Sequence, residues 1–194
     1  AKPERIEKQV EFLEKNPDIF MVGSNAFVID RKGKKIGEKK EPLTSNAIYN
    51  SYFGFHPMIH PTCTFRRVLS SGKPFKYEIK YSANNDYYTF FKLICLGYKF
   101  VNLEDKLLDY RIHGKNATFI DMKEKFLNSI KIRLVMVFKF GYRPSLKDLL
   151  MLTMQTLVVM SLPERVLTEV YFLAKGIKKI SFSIPTPSFS FRLG

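Results

Sequence analysis

The sequence predicts an α/β protein, and three observations carry that reading. Ile19 to Ile29 is rich in Phe, Val and Ile, and Lys99 to Leu103 and Leu107 to Tyr110 carry the same strand-like composition. Between them Tyr87, Phe90, Phe91 and Ile94 fall at i, i+3, i+4 and i+7, the spacing of a helix with one buried face. After Thr118 the apolar pattern is helical only. With 194 residues, 45% of them hydrophobic, the chain buries a real core as one domain or a large part of one.

Pro3 suits the first turn of a helix whose expected inward face is Ile6, Val10 and Leu13. Asn16-Pro17 ends it, because a residue before proline avoids the helical region. Lys2 to Lys15 is charged and amphipathic, unlike a signal peptide. Ile19 to Ile29 reads as one or two strands, interrupted at Gly23-Ser24-Asn25. Asp30 to Lys35 is a charged turn into a return strand, and its basic character reads as a solvated turn. Thr44 to Phe53 contains a short helix. His56 to Arg67 runs from a loop rich in proline, histidine and aromatics into a strand, the kind of loop that lines sites.

The segment beginning at Tyr81 concentrates the chemistry. Asp86 stands at the head of the Tyr87–Ile94 helix, where the helix dipole favours an ionised carboxylate, and Gly97 stops that helix. Its two candidate roles are a simple cap and a general base. Two short strands, Lys99 to Leu103 and Leu107 to Tyr110, are expected around a Glu104-Asp105-Lys106 turn. Arg111 and His113 alternate with Ile112 and so project from one face, a pairing that can bind a phosphate or help hold a metal-bound diphosphate; the plainer alternative is an ion pair from Arg111 to a nearby acid with His113 as a cap. A zinc site from His56, His60 and His113 lacks a fourth ligand and standard spacing, and is rejected.

Thr118 with Asp121 reads as a capping pattern for a helix to Phe140, striped by Met122, Phe126, Ile130, Leu134 and Val137 and stopped by Gly141. Ser145 and Asp148 cap the next helix. Leu149 to Leu162 is almost wholly apolar but shorter than the roughly 20 residues of a membrane span. Pro163 to Lys175 follows, with Lys175, Lys178 and Lys179 beyond it. Such helices suit an anionic membrane surface or packing against another part of the protein. Residues 119–180 are therefore expected as a helical extension and 181–194 as a flexible tail.

Thirty-two Lys and Arg against eighteen Asp and Glu give a formal charge of +14, which calls for an acidic partner. The lysines are dispersed and carry no nucleic-acid motif, so nucleic acid is not the expected partner. Cys63 and Cys95, both in apolar surroundings, fit a reducing compartment.

Several motifs in order resemble the C-terminal half of family 2 glycosyltransferases of the GT-A fold. Pro3-Glu4-Arg5 with Gln9 is similar to the continuation of that family's Asp-x-Asp-Asp segment, and Val22-Gly23-Ser24 to its next strand. His60-Pro61-Thr62 with Phe65-Arg66 resembles its acceptor-side loop and strand. Ala83-Asn84-Asn85-Asp86-Tyr87 stands where many members carry Glu-Asp, and Tyr110-Arg111-Ile112-His113 where they carry Tyr-Arg-x-His.

The resemblance covers roughly residues 3–118. It implies the acceptor-side, catalytic-base half of a mixed GT-A sheet, in a bacterial enzyme that transfers a sugar with inversion. The substrates implied are a nucleotide-sugar donor and a glycan or lipid-linked acceptor. The implied cofactor is Mg²⁺ or Mn²⁺. By motif match Asp86 is the base, His60 and Asn85 border the acceptor, and Arg111 and His113 face the diphosphate, with His113 a possible metal ligand. Asn85 departs from the family, which often has Glu there.

The nucleotide-binding half and main metal ligands are expected ahead of Ala1. The chain is then a fragment, inactive alone, with an unpaired sheet edge and an exposed apolar face. The expected location is cytoplasmic, peripheral on the inner face of the plasma membrane. The alternative is a non-catalytic membrane-associated binding module in which Asp86 is only a cap.

Overall fold

The structure, a computed structural model, describes residues 1–81, 84–113 and 120–174. It is α/β, built on a sheet with one central strand. β1 (Ile19–Ile29) pairs in parallel along its length with β4 (Lys99–Arg111). On its other side it pairs antiparallel with β3 (Thr64–Phe65) near its start and with β2 (Lys35–Lys39) near its end. The sheet is mixed and four-stranded. From Ile19 to Ala26 every β1 residue is buried, as a strand covered on both faces must be.

Alternate residues of β1 and β4 feed two cores. Val22, Val101 and Leu103 meet Leu13 of α1 (Arg5–Lys15) on one face. Met21 and Phe100 meet α2 (Ser45–Ser51), α3 (Asn85–Cys95) and α4 (Met122–Phe140) on the other. Among the described residues helices pack on both faces of the sheet, in place of the exposed apolar face expected there. Even the outer edge of β4 is partly used. Asn102 N–H donates to Leu43 O at 3.0 Å, and Leu107 O accepts from Lys2 N–H at 2.9 Å.

Several local expectations hold. Asn16 terminates α1, and Gly33 at φ 86° turns the β1–β2 hairpin while Asp30 Oδ1 accepts the Lys32 and Lys34 amides. Thr44 caps α2, accepting the Ala47 amide at 3.3 Å. Gly97 follows α3 at φ 90°, and Gly141 ends α4 at φ 69°.

Five others are corrected. The inward face of α1 is Gln9 and Leu13, whereas Ile6 is 52% exposed and Val10 40%. The helix is turned by polar side chains. Gln9 Nε2 donates to Val22 O at 3.2 Å and Thr62 O at 2.7 Å, and Arg5 Nη1 to Thr62 O at 3.2 Å. Gly23-Ser24-Asn25 does not interrupt β1, and Glu104-Asp105-Lys106 is no reversal. Ser24 pairs with Leu103 and Asn25 with Lys106, so β4 continues through a bulge that absorbs the extra residues. Asn25 Nδ2 holds that bulge by donating to Glu104 O at 3.2 Å.

The buried face of α4 is Ser129, Ile132, Arg133 and Met136, and the expected Leu134 is exposed. Its cap also differs. Asp121 precedes the helix at φ 51° and makes no capping bond, while Thr118 lies outside the described residues. α5 (Leu146–Ser161) starts with the expected capping box between Ser145 and Asp148, and α6 (Glu164–Ala174) follows. Among the described residues no helix is long and apolar enough to cross a membrane. The expected tail, 181–194, lies outside them.

A candidate carboxylate–histidine site at the head of α3

The loop after α2 is held from two directions. Asn102 Nδ2 donates to Pro42 O at 2.7 Å and Pro57 O at 3.0 Å, fixing residues 42 and 57 to β4. Gly54 O accepts from Arg133 Nη2 and Gln155 Nε2, each at 3.1 Å. Between these grips His56 packs among Tyr52, Tyr87 and Phe90. Further on, a short 3-10 turn (His60–Thr62) is pinned through Thr62. Its Oγ1 accepts Ser24 N–H at 3.0 Å, and its carbonyl accepts Gln9 Nε2.

A second strap runs over α3. Glu78 N–H donates to Thr89 Oγ1, Lys92 pairs with Glu78, and Asn85 Oδ1 accepts the Lys80 and Tyr81 amides at 2.9 Å each. The strap lays Tyr77 against Phe90, with its hydroxyl 3.0 Å from His60 Nε2. Burial, with Cys63 and Asp86 nearby, pushes that hydroxyl up to about 12, so it stays protonated and available to donate.

Asp86 sits in the first turn of α3, as its sequence position implies. Oδ1 accepts the Tyr87 amide at 2.8 Å, and Oδ2 lies 3.6 Å from His56 Nε2, just beyond hydrogen-bond length. The side chain is 32% exposed, buried enough to feel its neighbours and open enough to meet a ligand. Burial pushes the carboxyl up. The His56 contact, the Tyr87 amide and the nearby His60 outweigh that and hold it below the ordinary carboxylate range. Asp86 is therefore an anion at neutral pH.

His56 Nδ1 lies 3.4 Å from the Met58 amide, an arrangement that requires an accepting nitrogen. Nε2 is then the ring nitrogen that faces Asp86. Burial, reinforced by Asp86 and eased by Arg5, pushes the Cys63 thiol up to about 12, so it is no thiolate nucleophile.

The structure brings Asp86 and His60 to one neighbourhood around Phe90 and adds His56, which the sequence named only in a rejected zinc set, and Tyr77, which it did not single out. No spacing marks them, since a fold-dependent loop and strap deliver them. Asn85 serves the strap before α3: its oxygen is taken by the Lys80 and Tyr81 amides. Arg111, at the end of β4, donates through Nη1 to the carbonyls of Asp30 at 2.9 Å and Arg31 at 2.8 Å, on the β1–β2 turn. Ile112 between it and His113 is buried against Val28. Among the described residues no three His, Cys, Asp or Glu side chains converge as a metal-binding set. The described residues do not by themselves fit a Mg²⁺ or Mn²⁺ ion.

No protein-family model matches the chain. Three curated proteins do. An uncharacterized glycosyltransferase of Methanocaldococcus jannaschii is 32% identical over 130 residues, covering 66% of this chain and 44% of the relative. The amylovoran biosynthesis glycosyltransferase AmsE of Erwinia amylovora is 30% identical over 111 residues, 56% of this chain and 40% of its own length. An uncharacterized glycosyltransferase of Haemophilus influenzae is 27% identical over 141 residues, 69% and 43%. The matched part spans less than half the length of each relative. These relationships support a glycosyltransferase role, and the α/β sheet with its helices is compatible with a glycosyltransferase domain.

Proposed function

We propose that this chain is the acceptor-side part of an inverting, family 2 glycosyltransferase of the GT-A fold. It would move a sugar from a nucleotide-sugar to a cell-surface polysaccharide or glycolipid acceptor in the bacterial envelope, with Asp86 as general base. The observation that carries this is the state of Asp86: a partly open carboxylate at a rigid helix start, kept ionised by His56 and the Tyr87 amide. The amylovoran role named for one relative supports the substrate class. In the proposed reaction Asp86 takes the proton of an acceptor hydroxyl as its oxygen attacks the anomeric carbon. The bond from that carbon to the diphosphate breaks, and the diphosphate leaves with the electron pair. A base this acidic contributes through placement more than through basicity.

His56 holds the carboxylate's charge and direction. His60, steadied by Tyr77, borders the acceptor, and Asn85 shapes the strap beside it. Arg111 and His113 are the residues proposed toward the diphosphate, Arg111 from its seat on the β1–β2 turn. A donor-binding portion and the ligands of a Mg²⁺ or Mn²⁺ ion are proposed in sequence outside this chain, and the ion would neutralise the departing diphosphate. The location proposed is the cytoplasmic face of the plasma membrane, held peripherally.

The test is sugar transfer by the protein expressed from its full reading frame, with labelled nucleotide-sugars and a glycan acceptor. Transfer that chelation abolishes and Mg²⁺ or Mn²⁺ restores is expected. Failure to bind any nucleotide-sugar, with either ion present, would leave the non-catalytic binding module as the better account.

His56→Ala separates a base held by its neighbour from one merely close to it. Asp86 titrates below its ordinary value in the folded protein. Its contribution to stability is therefore present above the unfolded-state value and is lost as pH falls through the folded one. Without His56 the upward push of burial loses its main opponent, so the carboxyl titrates higher. The acid limb of the pH–rate profile should move to higher pH, with the carboxyl carbon resonance of Asp86 following it. An unmoved acid limb would sink the pairing.

A further inference from the structure

α5 docks to the body of the protein with one face only. Met151 meets Gly54, Leu152 packs on the main core, and Gln155 donates to Gly54 O. These three lie within one third of the helix circumference. The opposite face carries Leu146, Leu149, Leu150, Met154, Leu157 and Met160, at helical spacing, and all six are exposed, Leu146 at 73%. Thr153 and Ser161 complete that arc, so it holds no charge. No residue of α5 is fully buried. An apolar row facing outward along a whole helix is the reverse of the ordinary globular pattern.

The charges stand at its ends. Arg143 and Lys147 are exposed at the start of α5, and Lys139 and the 84% exposed Phe138 close the preceding helix. At the other end Lys123 Nζ lies 3.5 Å from Met160 O, and the exposed acid Glu164 opens α6. The acid at the start of α5, Asp148, is engaged with Ser145 in the capping box. At 1.5 Å per residue the helix is about 24 Å long, suited to lying along a surface. Its length does not suit spanning a bilayer.

We propose that the outward face of α5 is a membrane-docking surface whose partner is an anionic lipid bilayer. The leucines and methionines enter the boundary between headgroups and acyl chains, while Arg143 and Lys147 pair with lipid phosphates at the start of the helix. Charge complementarity decides for lipid, since an uncharged apolar row with the exposed cations Arg143 and Lys147 at its start matches a sheet of acyl chains under anionic headgroups. The proposal deepens the peripheral-membrane part of the reading above by naming the surface, but needs none of its chemistry.

The experiment is co-sedimentation of the purified protein with phosphatidylcholine vesicles, with and without phosphatidylglycerol. Wild type should pellet with the anionic vesicles, and less at high salt. The double variant Leu150→Glu, Leu157→Glu should lose about tenfold or more in binding, because two desolvated leucines become anions. Both positions are exposed, so its thermal melt should match wild type. Should it fail to fold, Leu150→Ser with Met154→Ser replaces it, with the same loss expected in weaker form. Asp86→Asn protein should pellet like wild type, so a failed transfer assay leaves this result standing and the reverse also holds. The proposal is overturned if wild type stays in solution with anionic vesicles, or if folded variants bind undiminished. It is equally overturned if gel filtration shows a dimer that the double variant splits.

Discussion

Asp86→Asn should reduce sugar transfer by about 10²- to 10⁴-fold, the range a positioned general base supplies, while the protein keeps its fold. The amide can still accept the Tyr87 N–H, as Oδ1 does now at 2.8 Å. It cannot take the acceptor's proton. Donor binding should therefore survive, and kcat should carry the loss. Cys63 offers no substitute, its thiol being pushed up to about 12 by burial and by the adjacent carboxylate. The measurement is initial rate beside the melting temperature of both proteins. A folded Asp86→Asn enzyme working near the wild-type rate would remove Asp86 from the base role and leave it a helix residue held by its neighbours.

The second large effect is on stability. Gln9 is fully buried, and its two side-chain ends join four parts of the fold. Nε2 donates to Val22 O in β1 and to Thr62 O in the 3-10 turn, while Oε1 accepts Thr64 Oγ1 in β3 at 2.9 Å and Arg5 Nη1 at 3.4 Å. Truncation strips buried groups of partners that water cannot replace. Gln9→Ala should therefore cost about 3 kcal/mol, lowering Tm by roughly 6–12 °C. Because the same turn carries His60, residual activity at low temperature should fall as well. Gln9→Glu keeps the shape but has no hydrogens to donate, and should be no better. A melt unchanged from wild type would show that these bonds are replaceable.

Part of the candidate site was legible in the sequence, and for local reasons. Helical spacing from Tyr87 to Ile94 with a stop at Gly97 placed Asp86 at the head of a rigid helix, because both the period and the left-handed glycine are properties of neighbouring residues. The Ser145–Asp148 capping box and the Asp30–Gly33 turn were readable in the same way. His56 was not. It reaches Asp86 only because Asn102 holds Pro57 O and Arg133 holds Gly54 O, across separations of 45 and 79 residues.

The same division runs through the fold. The sequence by itself determined an α/β chain, where its helices cap and stop, and which carboxylate stands ready at a helix start. Those follow from backbone preferences and side chains a few residues apart. Only tertiary structure decided that β4 runs unbroken through Glu104–Lys106, since Asn25 on the neighbouring strand holds the bulge. It likewise turned α1 toward Gln9 instead of Ile6 and Val10, and left the apolar row of α5 facing outward. An apolar pattern says that a face is greasy; which face is covered depends on partners distant in the chain.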